Sequence, residues 1–179
     1  LGIVDEISLT GHSAGTGSLS TLSQYEEIMD EVKAVVAVGG FFRYGIMPDM
    51  PIPTGTNWLI VEAKADLYAN QWYGSYEAQM ERLAGLTANY ENFQLNTIYG
   101  SFEDGTAFGY METGGTHQKQ IYDEETICHI LDFIGEVSPA PVELEGSDMV
   151  FPTFRIFSAI CSVLFILFIG ALAYTVTSV

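Results

Sequence analysis

The sequence predicts an α/β fold with a mostly parallel sheet flanked by helices, followed by one separate apolar helix. Three observations carry this. Short apolar runs alternate with segments of helical periodicity along residues 1–137, the order produced when each strand leads into a crossover helix. The run "VKAVVAVGG" at 32–40 is apolar without alternation, as in a strand covered on both faces. Charge is also segregated: all 23 Asp and Glu lie at or before Asp148, and residues 156–179 carry no charge.

The elements follow in order. "EISLTG" (Glu6–Gly11) reads as a short strand, and Thr16–Met29 as a helix with Leu19 and Leu22 on one face. Val32–Gly40 is the second strand, and Phe41–Gly55, rich in Pro, Gly and Met, is a loop. "NWLIVEAKAD" (Asn57–Asp66) is a strand ending in a carboxylate. Trp72, Tyr76, Met80 and Leu83 place a helix over 69–86. "FQLNTIYGSF" and "TAFGYMET" are extended pieces around a turn at Glu103–Gly105. Ile127, Ile130, Leu131 and Ile134 follow the spacing of a final amphipathic helix. Residues 138–154, with three prolines and several acids, read as a linker. Residues 155–179 then form a transmembrane helix, since the uncharged run exceeds the roughly 20 residues that cross hydrocarbon. Arg155 is the one cation beside that run, too little to set which side the preceding domain occupies.

With three Lys, three Arg and a net charge of −17, the chain lacks the clustered cations that phosphate binding needs, which excludes nucleic acid as a partner. The acidity reads as a solvated or salt-adapted surface. Cys128 and Cys161 make no disulfide framework. The three histidines are scattered, and "GTGS" lacks the lysine and spacing of a phosphate loop, so neither metal nor cofactor is expected.

One motif points to chemistry. Gly11-His12-Ser13-Ala14-Gly15 fits G-x-S-x-G between an apolar strand and a small-residue helix. On a sharp strand-to-helix turn the residues two before and two after the serine pass close together, so Gly11 and Gly15 make room. The serine would then sit at a helix N-terminus, where backbone N–H groups stabilise an oxyanion. A glycine-rich turn fits the pentapeptide as well. Asp66 stands 53 residues beyond Ser13 at the end of a strand, and also suits a helix N-cap. His117 stands 51 residues further, in "GGTH" before the final helix, where a surface-loop histidine would equally fit. His12 occupies the variable position of the motif, and His129 lies within a helix.

The order Ser, Asp, His, carried by "GHSAG", "LIVEAKAD" and "GGTH", resembles the C-terminal two-thirds of an α/β-hydrolase domain over about residues 3–136. With the apolar segment that follows, the chain is similar to membrane-anchored proteins of that superfamily. The resemblance implies Ser13 as nucleophile, His117 as general base and then acid, Asp66 as the group that orients the imidazole, and the Ala14 N–H as one oxyanion donor. It also implies strands upstream of the first one here, and with them the second oxyanion donor, so the chain is expected to be part of a longer protein. Two functions follow: a membrane-tethered serine hydrolase acting on a small-molecule or lipid acyl substrate (ester, thioester or amide), or a catalytically idle binding or assembly module on the same scaffold. For lipid substrates, Phe41, Phe42, Met47 and Met50 would form an acyl pocket, or would instead cover the sheet edge.

Overall fold

The computed structural model describes residues 6–40, 55–68, 74–88, 90, 92–138 and 151–177, with side chains of the last helix described over 156–170. The expected loop with Phe41, Phe42, Met47 and Met50 lies outside the described residues, as do Trp72 and positions 139–150 of the expected linker. The chain divides into two compact units, Leu1–Ser147 and Asp148–Val179.

The first unit is an α/β fold on a five-stranded sheet: β1 (Ile7–His12), β2 (Val32–Val38), β3 (Asn57–Ala63), β4 (Ile98–Tyr99) and β5 (Phe108–Thr113), in spatial order β1-β2-β3-β5-β4. The pairs β1–β2, β2–β3 and β3–β5 are parallel, and the two-residue β4 runs antiparallel to β5. Four parallel strands therefore point their carboxyl ends the same way.

Alternation along the strands feeds two separate cores. Val35, Ala37, Trp58, Ile60, Phe108 and Tyr110 face one side, against Leu19, Met29 and Leu83. Ala34, Val36, Val38, Leu59, Val61 and Met111 face the other, against Phe133. Coverage on both faces explains the unbroken apolar runs, since no position of β3 remains for solvent. Full burial of each large side chain contributes about 1.5–3 kcal/mol.

Helices α1 (Ala14–Leu22) and α2 (Glu26–Met29) replace the single helix expected over 16–29. The break follows from local competition: the Ser23 hydroxyl and the Gln24 amide both donate back to the Ser20 carbonyl, at 2.9 and 3.4 Å, and Tyr25 turns extended. Helix α3 spans Tyr76–Leu86, within the expected 69–86, of which positions 69–73 lie outside the described residues. Gly74 at φ +84° precedes it, and the Ser75 hydroxyl caps it by accepting from the Ala78 N–H at 3.2 Å. Helix α4 (Glu124–Val137) is capped by Asp123, which accepts from the Thr126 N–H at 3.1 Å, and its first turn carries Glu124 and Glu125 where the dipole favours them. The expected ten-residue extended piece shrinks to β4 because Asn92 and Asn96 take positive φ. The Asn96 side chain then replaces a ladder bond by accepting from the Glu112 N–H at 2.7 Å.

The second unit contains α5 (Phe151–Thr177), which starts inside the expected linker; Pro152 falls in its first turn, where a missing N–H costs no helical bond. Its described side chains, 156–170, are exposed on every side and uncharged. Among the described residues no helix is long and apolar enough to cross a membrane.

Two phenols pin α3 to the sheet. The Tyr76 hydroxyl donates to Glu112, and Gln79 Nε2 donates to the Tyr110 hydroxyl at 3.0 Å. Burial, then the Glu112 carboxylate, push the Tyr76 pKa from 10.0 up to about 12. Burial likewise raises that of Tyr110 well above 10.0. A phenol raised on folding contributes stability that is present below its unfolded pKa and lost as pH rises through the folded one. Unfolding free energy measured by denaturant titration is therefore expected to decline between pH 10.0 and about 12, and Tyr76→Phe to give a lower neutral stability with a shallower alkaline decline. An equally steep decline in the variant would rule out Tyr76 as a contributor.

Candidate active site

Ser13 follows β1 directly, Asp66 lies three residues beyond β3 and His117 four beyond β5, so all three stand at the carboxyl ends of parallel strands. That end is where open α/β sheets gather ligands. Side chains 51 and 104 residues apart meet there: His117 Nε2 is 2.7 Å from Ser13 Oγ, and His117 Nδ1 is 2.6 Å from Asp66 Oδ2. A carboxylate only accepts, so Nδ1 carries the ring proton and Nε2 of the neutral imidazole accepts from the serine hydroxyl. Asp66 is 2% exposed and His117 7%, while Ser13 is half-buried. In such a setting charge-assisted hydrogen bonds are stronger than in water.

Asp66 serves two structures at once. Oδ2 meets His117, and Oδ1 accepts from the Tyr68 N–H at 2.8 Å; the segment the carboxylate was expected to cap, from 69, lies outside the described residues. The Tyr68 ring lies 5.0 Å from the His117 ring, and a cavity of about 330 Å³ opens beside them, lined by Ala65, Leu67, Tyr68, Thr116, His117 and Gln118.

The corner at Ser13 has φ 56° and ψ −115°, outside the regions an L-residue favours. The Ser13 N–H donates to the Val38 carbonyl at 2.9 Å, as an extension of the ladder. Ala14 opens α1, so its N–H belongs to the first turn, whose donors have no carbonyl four residues back. The two motif glycines prove unequal. A Cβ on Gly11 would meet the Gly15 carbonyl at 2.8 Å and its carbon at 2.9 Å, but a Cβ on Gly15 meets nothing within 4 Å. Crowding therefore requires glycine at position 11 alone, which corrects the expectation that both make room.

Several site residues were not singled out from the sequence. Gly39, at φ +59°, lies so close that a Cβ would sit 2.3 Å from Gln120 Oε1 and 3.2 Å from His117 Nδ1. Gly40 would bring a Cβ within 2.8 Å of Thr16 Oγ1 and 3.0 Å of the Ser13 carbonyl. Thr16 Oγ1 is within reach of two carbonyls, Ser13 at 2.6 Å and Gly40 at 2.9 Å. Buried Glu62 accepts from the Gly40 N–H at 2.8 Å. An acid inside the apolar run "LIVEA" was the available signal for Glu62, as paired glycines at a strand end were for Gly39 and Gly40. His129 lies on α4, beside a second cavity, away from these groups.

No family model, curated protein or solved structure matches this chain.

Gly15→Ala is expected to leave stability unchanged or raise it by up to about 1 kcal/mol, by removing a helical glycine. Gly11→Ala should lower it by about 1–3 kcal/mol through overpacking. Denaturant melts of the two variants measure this; equal losses would contradict the asymmetry.

Proposed function

We propose that the chain is a membrane-tethered serine hydrolase of the α/β-hydrolase type, cleaving an ester, thioester or amide through an acyl-enzyme. The observation that carries the reading is the continuous hydrogen-bonded series Ser13 Oγ, His117, Asp66 at a strained strand-to-helix corner, with contacts of 2.7 and 2.6 Å. A buried carboxylate, an imidazole and a half-exposed hydroxyl in this order suit acyl transfer.

In this reading Ser13 Oγ attacks the acyl carbonyl carbon while its proton passes to His117 Nε2. Asp66 holds the Nδ1 proton and stabilises the imidazolium without taking the proton. Charge developing on the carbonyl oxygen meets the Ala14 N–H at the N-terminus of α1. Collapse expels the leaving group, which takes the proton from His117 Nε2. Water then repeats the sequence: His117 removes its proton, hydroxide adds to the acyl carbon, and Ser13 leaves reprotonated. The cavity beside His117 suits the departing group, because its proton donor forms part of the wall. The membrane tether is read from the sequence alone, from the run at 156–179 that carries no charge and exceeds the roughly 20 residues hydrocarbon requires.

A fluorophosphonate probe applied to the full chain in detergent tests the reading. Wild type should be labelled at Ser13, Ser13→Ala not at all, and His117→Ala and Asp66→Asn should be slowed by about 10⁴-fold or more. Folded wild-type protein that resists the probe would abandon the hydrolase in favour of the idle binding module.

A further inference from the structure

His12, the residue immediately before Ser13, presents its Nε2 to the backbone carbonyl of His117 at 3.0 Å, and the two rings lie 4.8 Å apart. A carbonyl only accepts, so Nε2 of His12 carries a proton and donates it. We propose that His12 is a positioning residue for the base: it ties the loop bearing His117 to the end of the strand that leads into the nucleophile. The proposal rests on the hydrolase reading of the same site.

The argument is geometric. His117 sits on a loop after β5 that turns through Gly115, at φ +101°, and closes by Lys119 N–H to the Thr116 carbonyl at 2.9 Å. Those bonds shape the loop, and the His117–Asp66 contact and Gln120 Nε2 to the Val61 carbonyl at 3.4 Å tie it toward β3, but β1 lies further off, with β2 and β3 between it and β5. His12 supplies a main-chain tie to β1 itself. It is the last residue of β1, held in register opposite Val38, so its backbone is among the better-fixed positions near the site. Its side chain reaches the His117 carbonyl while the His117 ring reaches back to Ser13 Oγ at 2.7 Å. The result is a closed circuit in which two consecutive residues, the last of β1 and the corner residue after it, hold both ends of His117, main chain and imidazole. Removing the donor opens the circuit: the ring keeps its contacts to Asp66 and Ser13 Oγ, but the main chain that carries it loses its bond to the end of β1. A displacement of about 1 Å at a catalytic group can cost on the order of 10²-fold in rate.

Glutamine places an amide N–H at a reach similar to that of histidine Nε2, whereas phenylalanine keeps the ring face and loses the donor. Full-length wild type, His12→Gln and His12→Phe in detergent are compared with p-nitrophenyl acetate and with a fluorophosphonate. His12→Phe should lose about 10–100-fold in kcat with KM within about twofold, and His12→Gln should recover most of the loss. The downfield ¹H resonance of the His117 Nδ1 proton, identified by its absence in Asp66→Asn, gives a readout independent of turnover. It should persist in His12→Gln and broaden or vanish in His12→Phe. Wild-type kcat in His12→Phe, or equal losses in both variants with an unaltered resonance, overturns the proposal. If wild type neither turns over ester nor reacts with the probe while the resonance still responds to His12, the tie stands and the hydrolase reading falls.

Discussion

At Ser13 the backbone occupies φ 56°, ψ −115°, a conformation costing roughly 1–3 kcal/mol that persists only where surroundings over-determine it. The surroundings here are specific. The Ser13 N–H is taken by the Val38 carbonyl at 2.9 Å, so the corner hangs from the last rung of the sheet. Thr16 captures the Ser13 carbonyl at 2.6 Å, and the absence of a side chain at Gly11 lets α1 turn back against β1. Helix α1 itself, "AGTGSLSTL", has poor intrinsic propensity. It forms because Thr16, Leu19 and Ser20 are buried against the sheet, and small residues permit close approach. Corner and helix thus depend on the same packing, and neither would hold as an isolated peptide.

Under the corner, the loop after β2 acts as a bed. Gly39 and Gly40 must lack side chains because Gln120, His117, Thr16 and Ser13 approach their α-carbons directly. Glu62 holds the Gly40 N–H from below at 2.8 Å, and Thr16 bridges toward the Gly40 carbonyl at 2.9 Å. A buried carboxylate is costly unless hydrogen-bonded, so Glu62 here serves to fasten backbone.

Much of this was legible from residue order. Strand runs 32–40 and 57–66 announced themselves because burial on both faces removes polar positions, and the spacing of Ser13, Asp66 and His117 relative to strand ends anticipated where the side chains meet. What escaped is tertiary in origin. The break at Ser23–Tyr25 depends on hydroxyl and amide groups competing for one carbonyl, which periodicity does not register. The shortness of β4 follows from asparagines in positive φ, a choice propensity leaves open. Gly15 obeys the motif without a steric reason, whereas Gly39 and Gly40 have one and belong to no pentapeptide. His12 passed as a variable position because its partner lies 105 residues away.

The contact between Asp66 and His117 is finally a statement about strand register. β3 and β5 pair Ala63 with Thr113, and the two loops leave from that rung. A slip of one residue shifts one strand by about 3.3 Å, more than a 2.6 Å hydrogen bond tolerates. The same slip would exchange the faces of a strand, sending Trp58 and Ile60 into the core now occupied by Leu59 and Val61. The first core is built around Trp58, Phe108 and Tyr110, and the second accommodates Ala34, Val36 and Ala107, so the two are not interchangeable in volume. Packing far below the site therefore excludes the neighbouring registers, and the residues that set the distance between imidazole and carboxylate include side chains that touch neither.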